Sequence, residues 1–168
     1  MATPASAIEI TVGSLLVPNP RAATKKEDQV FKRIMAPVDL AHLDKLERAL
    51  NVVADEAKRH GASVAYVSVT AATPGPLGHN PEEFRARLEE FAAEQARKHD
   101  IKADAHMIVS HDPTTDIDDA LMQAVSDTKA DLVVMASHKP GLAEYFWPSN
   151  GGKISAHSSA SVFVVRDN

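Results

Sequence analysis

The sequence predicts a single α/β domain built on a parallel five-stranded sheet. Three observations point there. Short aliphatic, β-branched runs alternate with stretches of helical spacing, in the order β-α-β-α-β-α-β-α-β. One of those runs, Leu132-Val133-Val134-Met135, is continuously apolar, as a strand buried on both faces is. The chain has 168 residues, one domain by size and large enough for a real core.

Bulk composition narrows the class of function. Apolar residues make up 44% and charged residues 24%, the balance of a soluble globular protein. A formal net charge of −5 disfavours free nucleic acid and anionic membrane as partners. Cysteine is absent, which excludes disulfides, thiol catalysis and thiolate metal sites. No apolar run reaches the length of a membrane span, and the N-terminus reads poorly as a signal peptide. The simplest placement is cytoplasmic.

Residues 1–30 read as an N-terminal extension, and 31–168 as the domain. Within the extension Ile8, Ile10 and Val12 alternate with polar residues, before Pro18 and Pro20 break the chain. It is either a loose tail or an arm that adds a strand, through Ile8–Val12, to a sheet edge or to a partner. The first strand is expected over Phe31–Val38. A helix follows, marked by Leu43, Leu46, Leu50, Val53 and Ala57 and stopped by Gly61 after the basic turn Lys58-Arg59-His60. The second strand spans Ser63–Thr70. Asn80-Pro81-Glu82-Glu83 opens the second helix with an N-cap, a proline at the first position and an acid three residues after the cap. Its inner face is Phe84, Leu88, Phe91 and Gln95, and it ends near His99. A third strand is expected over Lys102–Val109. A third helix runs over Thr114–Thr128, with Ile117, Leu121, Ala124 and Val125 inward and Asp116, Asp118 and Asp119 in its first turn. His111-Asp112 before Pro113 reads as a turn. The fourth strand, about 131–136, is followed by a long loop, a helix at about 149–158 and a last strand over 161–165.

The functional signal lies in Met135–Lys153. A strand, a polar loop and a helix start follow one another there. A helix start offers unpaired N–H groups and the positive end of the dipole, which suit an anion such as a phosphate. Ser137, His138, Lys139 and Ser149 add side-chain donors. An ordinary strand-to-helix connection explains the same pattern equally well. In parallel sheets ligands sit beyond the carboxyl ends of strands where strand order reverses. Pro37–Asp39 and Ala136–Lys139 present polar groups at the ends of the first and fourth strands, and face one cleft if those strands are neighbours. Asp39 also suits a cap for the following helix, and His138 a solvated loop position. The eight histidines are scattered without metal-ligand spacing. Tyr145-Phe146-Trp147 forms either packing under the loop, a lid, or a protein contact.

Several separated motifs occur in one order: Ala36-Pro37-Val38-Asp39, then Met135-Ala136-Ser137-His138-Lys139-Pro140, then Pro148-Ser149-Asn150-Gly151-Gly152, then Val162-Phe163-Val164-Val165-Arg166. Over about residues 31–166 the chain resembles the universal stress protein family. It looks most like the branch whose loop reads Ser-His-Arg-Pro and whose last helix opens Gly-Ser-Asn. The resemblance implies a Rossmann-like sheet, of the adenine nucleotide alpha hydrolase kind, in strand order 3-2-1-4-5. It implies a homodimer paired through the last strand. It implies an ATP site made by Pro37 and Asp39, by Val69 at the adenine, by Met135, Ala136, Ser137, His138 and Lys139 at the strand end and phosphate loop, and by Ser149, Asn150 and Gly151 at the helix start. Asp39 would lie near ribose hydroxyls or a Mg²⁺ ion. The chain departs from the family pattern at Ala136, Lys139 and Pro148, where glycine is usual. Lys139 precedes proline, which favours extended backbone, and Pro148 lacks an N–H.

Two functions follow from different classes. One is an ATP-binding dimeric stress regulator, at most a slow ATPase, since no residue reads as a general base or an arginine finger. The other is a nucleotide-free dimeric interaction module of the same family.

Overall fold

The computed structural model describes residues 29–74, 80–111, 116–137 and 150–166. The arm Ile8–Val12, the turn at Asp112-Pro113, and the loop with His138, Lys139, Tyr145–Trp147 and Ser149 lie outside the described residues. The elements are β1 (Arg33–Pro37), α1 (Glu47–His60), β2 (Ser63–Ala71), α2 (Pro81–His99), β3 (Lys102–Ser110), α3 (Ile117–Thr128), β4 (Leu132–Ser137), α4 (Asn150–His157) and β5 (Ser161–Arg166). The sheet runs β3-β2-β1-β4-β5 with every recorded pair parallel, which is the expected order 3-2-1-4-5.

Strand alternation sorts the core into two layers. Ile34, Ala36, Val64, Tyr66, Leu132 and Val134 pack against α1 and α2. Met35, Ala65, Val67, Val133 and Met135 pack against α3 and α4. The predicted inner faces of α2 and α3 hold. Phe84, Leu88, Phe91 and Gln95 are buried on α2, and Leu121, Ala124 and Val125 on α3, with Ile117 packed beside them.

The first helix differs from expectation at its start. Leu43–Leu46 is a 3-10 turn, and α-helix begins only at Glu47. Neither His42 nor Leu46 provides a side-chain cap. Tighter i to i+3 bonds satisfy the early donors instead, from His42 N–H to the Asp39 carbonyl at 3.1 Å and from Lys45 N–H to His42 at 3.1 Å. At its other end Gly61 takes φ 61°, the left-handed conformation that closes α1. The second helix starts as its sequence dictates. Asn80 Oδ1 accepts the Glu83 N–H at 2.9 Å, with Pro81 in the first helical position. In α3 the predicted acids Asp118 and Asp119 occupy the first turn. Asp116 caps nothing with its side chain; its carboxylate accepts the Ser110 hydroxyl at 2.9 Å and ties the end of β3 to α3.

Asp131 binds the amino ends of the middle strands together. Its carboxylate accepts the Lys32 N–H at 3.1 and 2.9 Å and the Arg33 N–H at 3.0 Å. Its own N–H reaches the Arg33 carbonyl at 3.0 Å, and its carbonyl accepts Ser161 N–H at 3.0 Å. One residue thereby sets β1, β4 and β5 in register at their starts. Asp131→Ala is expected to lower stability by about 2 kcal/mol in urea unfolding, because bonds to an ionised acceptor are the stronger kind. Asp131→Asn should recover part of that loss.

His99 closes α2 with its Nε2 buried and without a partner among the described residues. Burial lowers its pKa from the ordinary histidine value, and Lys98 and Lys58 lower it further against the opposing pull of Asp55. The unfolded chain therefore takes up this proton at higher pH than the folded one. The neutral ring's contribution is present above about pH 6.5 and falls away as pH drops below it. In His99→Gln the decline in unfolding free energy between pH 7 and pH 5 should be shallower than in the parent.

Candidate functional site

The sheet reverses direction of growth between β1 and β4, and the recorded pairing of these two strands is short. Their recorded pairing consists of Ile34 with Leu132 and Met35 with Val133. Beyond Met35 the strand β1 stays with β2, through Pro37 opposite Val67 and a 2.8 Å bond from Val38 N–H to the Val67 carbonyl. Beyond Val133 the strand β4 stays with β5, as far as Ser137 opposite Arg166. In a sheet of this order the carboxyl ends of β1 and β4 are where a ligand crevice is expected, with α1 and α2 on one face and α3 and α4 on the other.

Local sequence explains why the pairing stops there. Val38 N–H points to β2, so alternation turns the nitrogen of residue 37 toward β4. Residue 37 is proline and has no hydrogen to give. Ser68, buried in β2, donates its hydroxyl to the Val38 carbonyl at 2.9 Å and holds that backbone against β2. Sequence reasoning missed Ser68. The signal was a hydroxyl inside the apolar run Val64–Val69, where a buried polar group needs a partner.

Pro37 is the buried last residue of β1. Asp39, two residues further, has a side chain 20% exposed at the lip of the crevice. Its Oδ1 accepts the Ala41 N–H at 2.9 Å and its Oδ2 pairs with His42 Nδ1 at 2.6 Å. The carboxylate therefore caps the turn into the 3-10 segment rather than α1 itself. Each oxygen in that arrangement retains acceptor capacity for a further donor. His42 was not among the predicted site residues; its i+3 spacing from Asp39 across a turn was the available clue.

On the opposite wall, Met135 and Ala136 are buried in β4 and Ser137 is the half-buried last residue. Met135 packs with the α3/α4 layer and Ala136 with the α1/α2 layer. Val69, on the far side of β1, is half-buried in β2 opposite Ile108 and packs on the α3/α4 layer. Strand order thus brings Pro37–Asp39 and Met135–Ser137 to two sides of one crevice. Asn150 and Gly151 open α4, which follows β4 in the chain and packs through Ile154 beside Met135. His138, Lys139 and Ser149 lie outside the described residues. Among the described residues no group of three or more histidine, aspartate or glutamate side chains is arranged to hold a metal ion.

A doubly wound parallel sheet with a crevice at its reversal point defines a Rossmann-like α/β protein. The model of the universal stress protein family matches residues 31–166, and the chain belongs to that family. Among solved structures it is similar to a universal stress protein from Archaeoglobus fulgidus, with 20% identity over 80% of this chain and 98% of that one at a TM-score of 0.58. It is similar to the Archaeoglobus fulgidus universal stress protein in complex with dAMP, at 19% identity over 80% and 98% of the two chains, TM-score 0.55. A family member from Arabidopsis thaliana with AMP bound is similar at 17% identity over 82% and 92%, TM-score 0.54.

Proposed function

We propose that this chain binds an adenine nucleotide, ATP in the cell, in the crevice between β1 and β4, and acts as a cytoplasmic, dimeric stress regulator. The reversal of strand order between β1 and β4, with the half-buried Asp39 carboxylate just past the end of β1, carries the reading. The dAMP and AMP held by two structurally similar family members support it. In this reading Pro37 and Asp39 form one wall, and Asp39 accepts ribose hydroxyls or lies near a Mg²⁺ that accompanies the phosphates. The Val69 backbone meets the adenine. Met135, Ala136 and Ser137 form the other wall. His138 and Lys139 reach the phosphates from the loop, and Ser149, Asn150 and Gly151 offer donors from the start of α4. Nucleotide bound here is held rather than turned over quickly, since no residue assigned to the site acts as a general base.

The second reading is a nucleotide-free dimeric interaction module. Lys139-Pro140 and Pro148 favour it, because they replace the glycines of the family's phosphate loop with residues of restricted backbone. Both readings share the dimer. Its proposed seam is β5, an edge strand with Phe163 38% and Val164 46% exposed.

Small molecules released on denaturing the purified protein, separated by ion exchange, should include ATP. Calorimetric titration of the emptied protein with Mg-ATP should show saturable binding. Asp39→Ala and Lys139→Ala should each weaken it roughly tenfold, the scale of one lost charge-assisted bond. No nucleotide and no heat would transfer support to the second reading, and full affinity in both variants would remove the site assignment. Val164→Asp should convert the dimer to monomer in sedimentation velocity; an intact dimer would move the seam away from β5.

A further inference from the structure

We propose that Ile8–Val12 adds to the free edge of β5 as a sixth strand, covering in the monomer the same edge that a second copy would use. The second half of this statement rests on the dimer reading above; the first does not. Four observations carry it.

The edge itself needs cover. Val162–Val165 contains no charge, and Phe163 and Val164 stand exposed on opposite faces. Edge strands are ordinarily guarded by charges, prolines or bulges, and an unguarded apolar edge is a template for another strand. The opposite edge is better guarded, although Val109 near its end is 44% exposed. β3 carries Lys102, Asp104 and His106 along its length, and Arg33 pairs with Asp104 through two bonds of 2.6 and 2.7 Å.

The chain enters the domain close to β5. Phe31 meets Phe163 edge to face at 6.2 Å and His60 at 5.2 Å. Val30, one residue earlier, is 68% exposed. The residues before 29 therefore leave the domain near an apolar patch formed by Val30 and Phe163.

The arm has the right pattern and the right tether. Ile8, Ile10 and Val12 fall on one face of an extended segment, with Glu9 and Thr11 on the other. Such a segment buries one apolar face while its charged face stays in water. Residues 13–28 join it to the domain, and sixteen residues span up to about 50 Å when extended. The six residues of β5 extend only about 20 Å. A strand tethered this way pairs at high effective concentration, so weak contacts suffice.

The test is hydrogen exchange of the β5 amides in three proteins, held below the dimerisation concentration set by sedimentation. These are the full chain, a chain lacking residues 1–28, and the full-length Ile10→Asp variant, which serves if truncation impairs folding. The full chain should protect β5 at least tenfold over the other two, and they should self-associate at lower concentration than the parent. Equal β5 exchange in all three overturns the proposal. Arm-dependent protection in proteins that stay monomeric at every concentration would uphold the sixth strand and remove the dimer reading alone.

Discussion

Asp131 is the point on which the sheet depends. Four backbone groups at the starts of two strands, β1 and β5, converge on this residue at the start of β4, and three of them donate to its carboxylate or its carbonyl. Parallel strands distant in sequence have no hairpin to set their register, so register must come from packing and from such bonds. Residues 32–33 and 131 are nearly a hundred positions apart. Fixing them together places β1 beside β4, the adjacency that creates the crevice. The described ends of β1 and β4, Pro37–Asp39 and Met135–Ser137, depend for their adjacency on that junction.

Much of the fold was legible because its helices and strands obey simple periods. The three- and four-residue spacing of Leu46, Leu50, Val53 and Ala57, and of Phe84, Leu88 and Phe91, describes faces that are buried in the structure. Strand order was not legible in those periods. Nothing in the apolar runs says that β4 follows β1 across the sheet, and only the resemblance carried that expectation. The start of the first helix was misread for a physical reason. Leu43 has helical spacing, but Asp39 directs its carboxylate to Ala41 and His42, and an uncapped segment tightens into 3-10 geometry instead. The candidate site was half legible. Asp39 and the ends of β1 and β4 could be named from motif and position. The supports Ser68 and His42 were missed, because a hydroxyl in an apolar run and a histidine three residues after an aspartate are weak signals until the contacts between strands and across the turn are seen.

The two sheet edges show how composition divides labour. β3 carries Lys102 and Asp104 at exposed positions, with Val109 exposed near its end, and is joined to β1 through the Arg33–Asp104 pair that crosses β2. β5 carries almost no polarity between Ser161 and Arg166. One edge ends the sheet and the other invites continuation. Whatever covers β5, its energy is mainly apolar burial added to backbone hydrogen bonds, so it should tolerate salt far better than a charge-based contact.

Pro37 has a kinetic meaning as well as a geometric one. In an empty parallel sheet, two neighbouring strands tend to zip toward their carboxyl ends, each new rung lowering the free energy of the next. A cleft made only by absent ligand would close this way between visits and would have to be prised open each time. The imino acid at position 37 removes the rung that would start the closure, and Ser68 holds the adjacent carbonyl on the far side. No backbone rung can latch β1 to β4 at position 37. A guest entering the proposed site would displace water there rather than a hydrogen-bonded backbone.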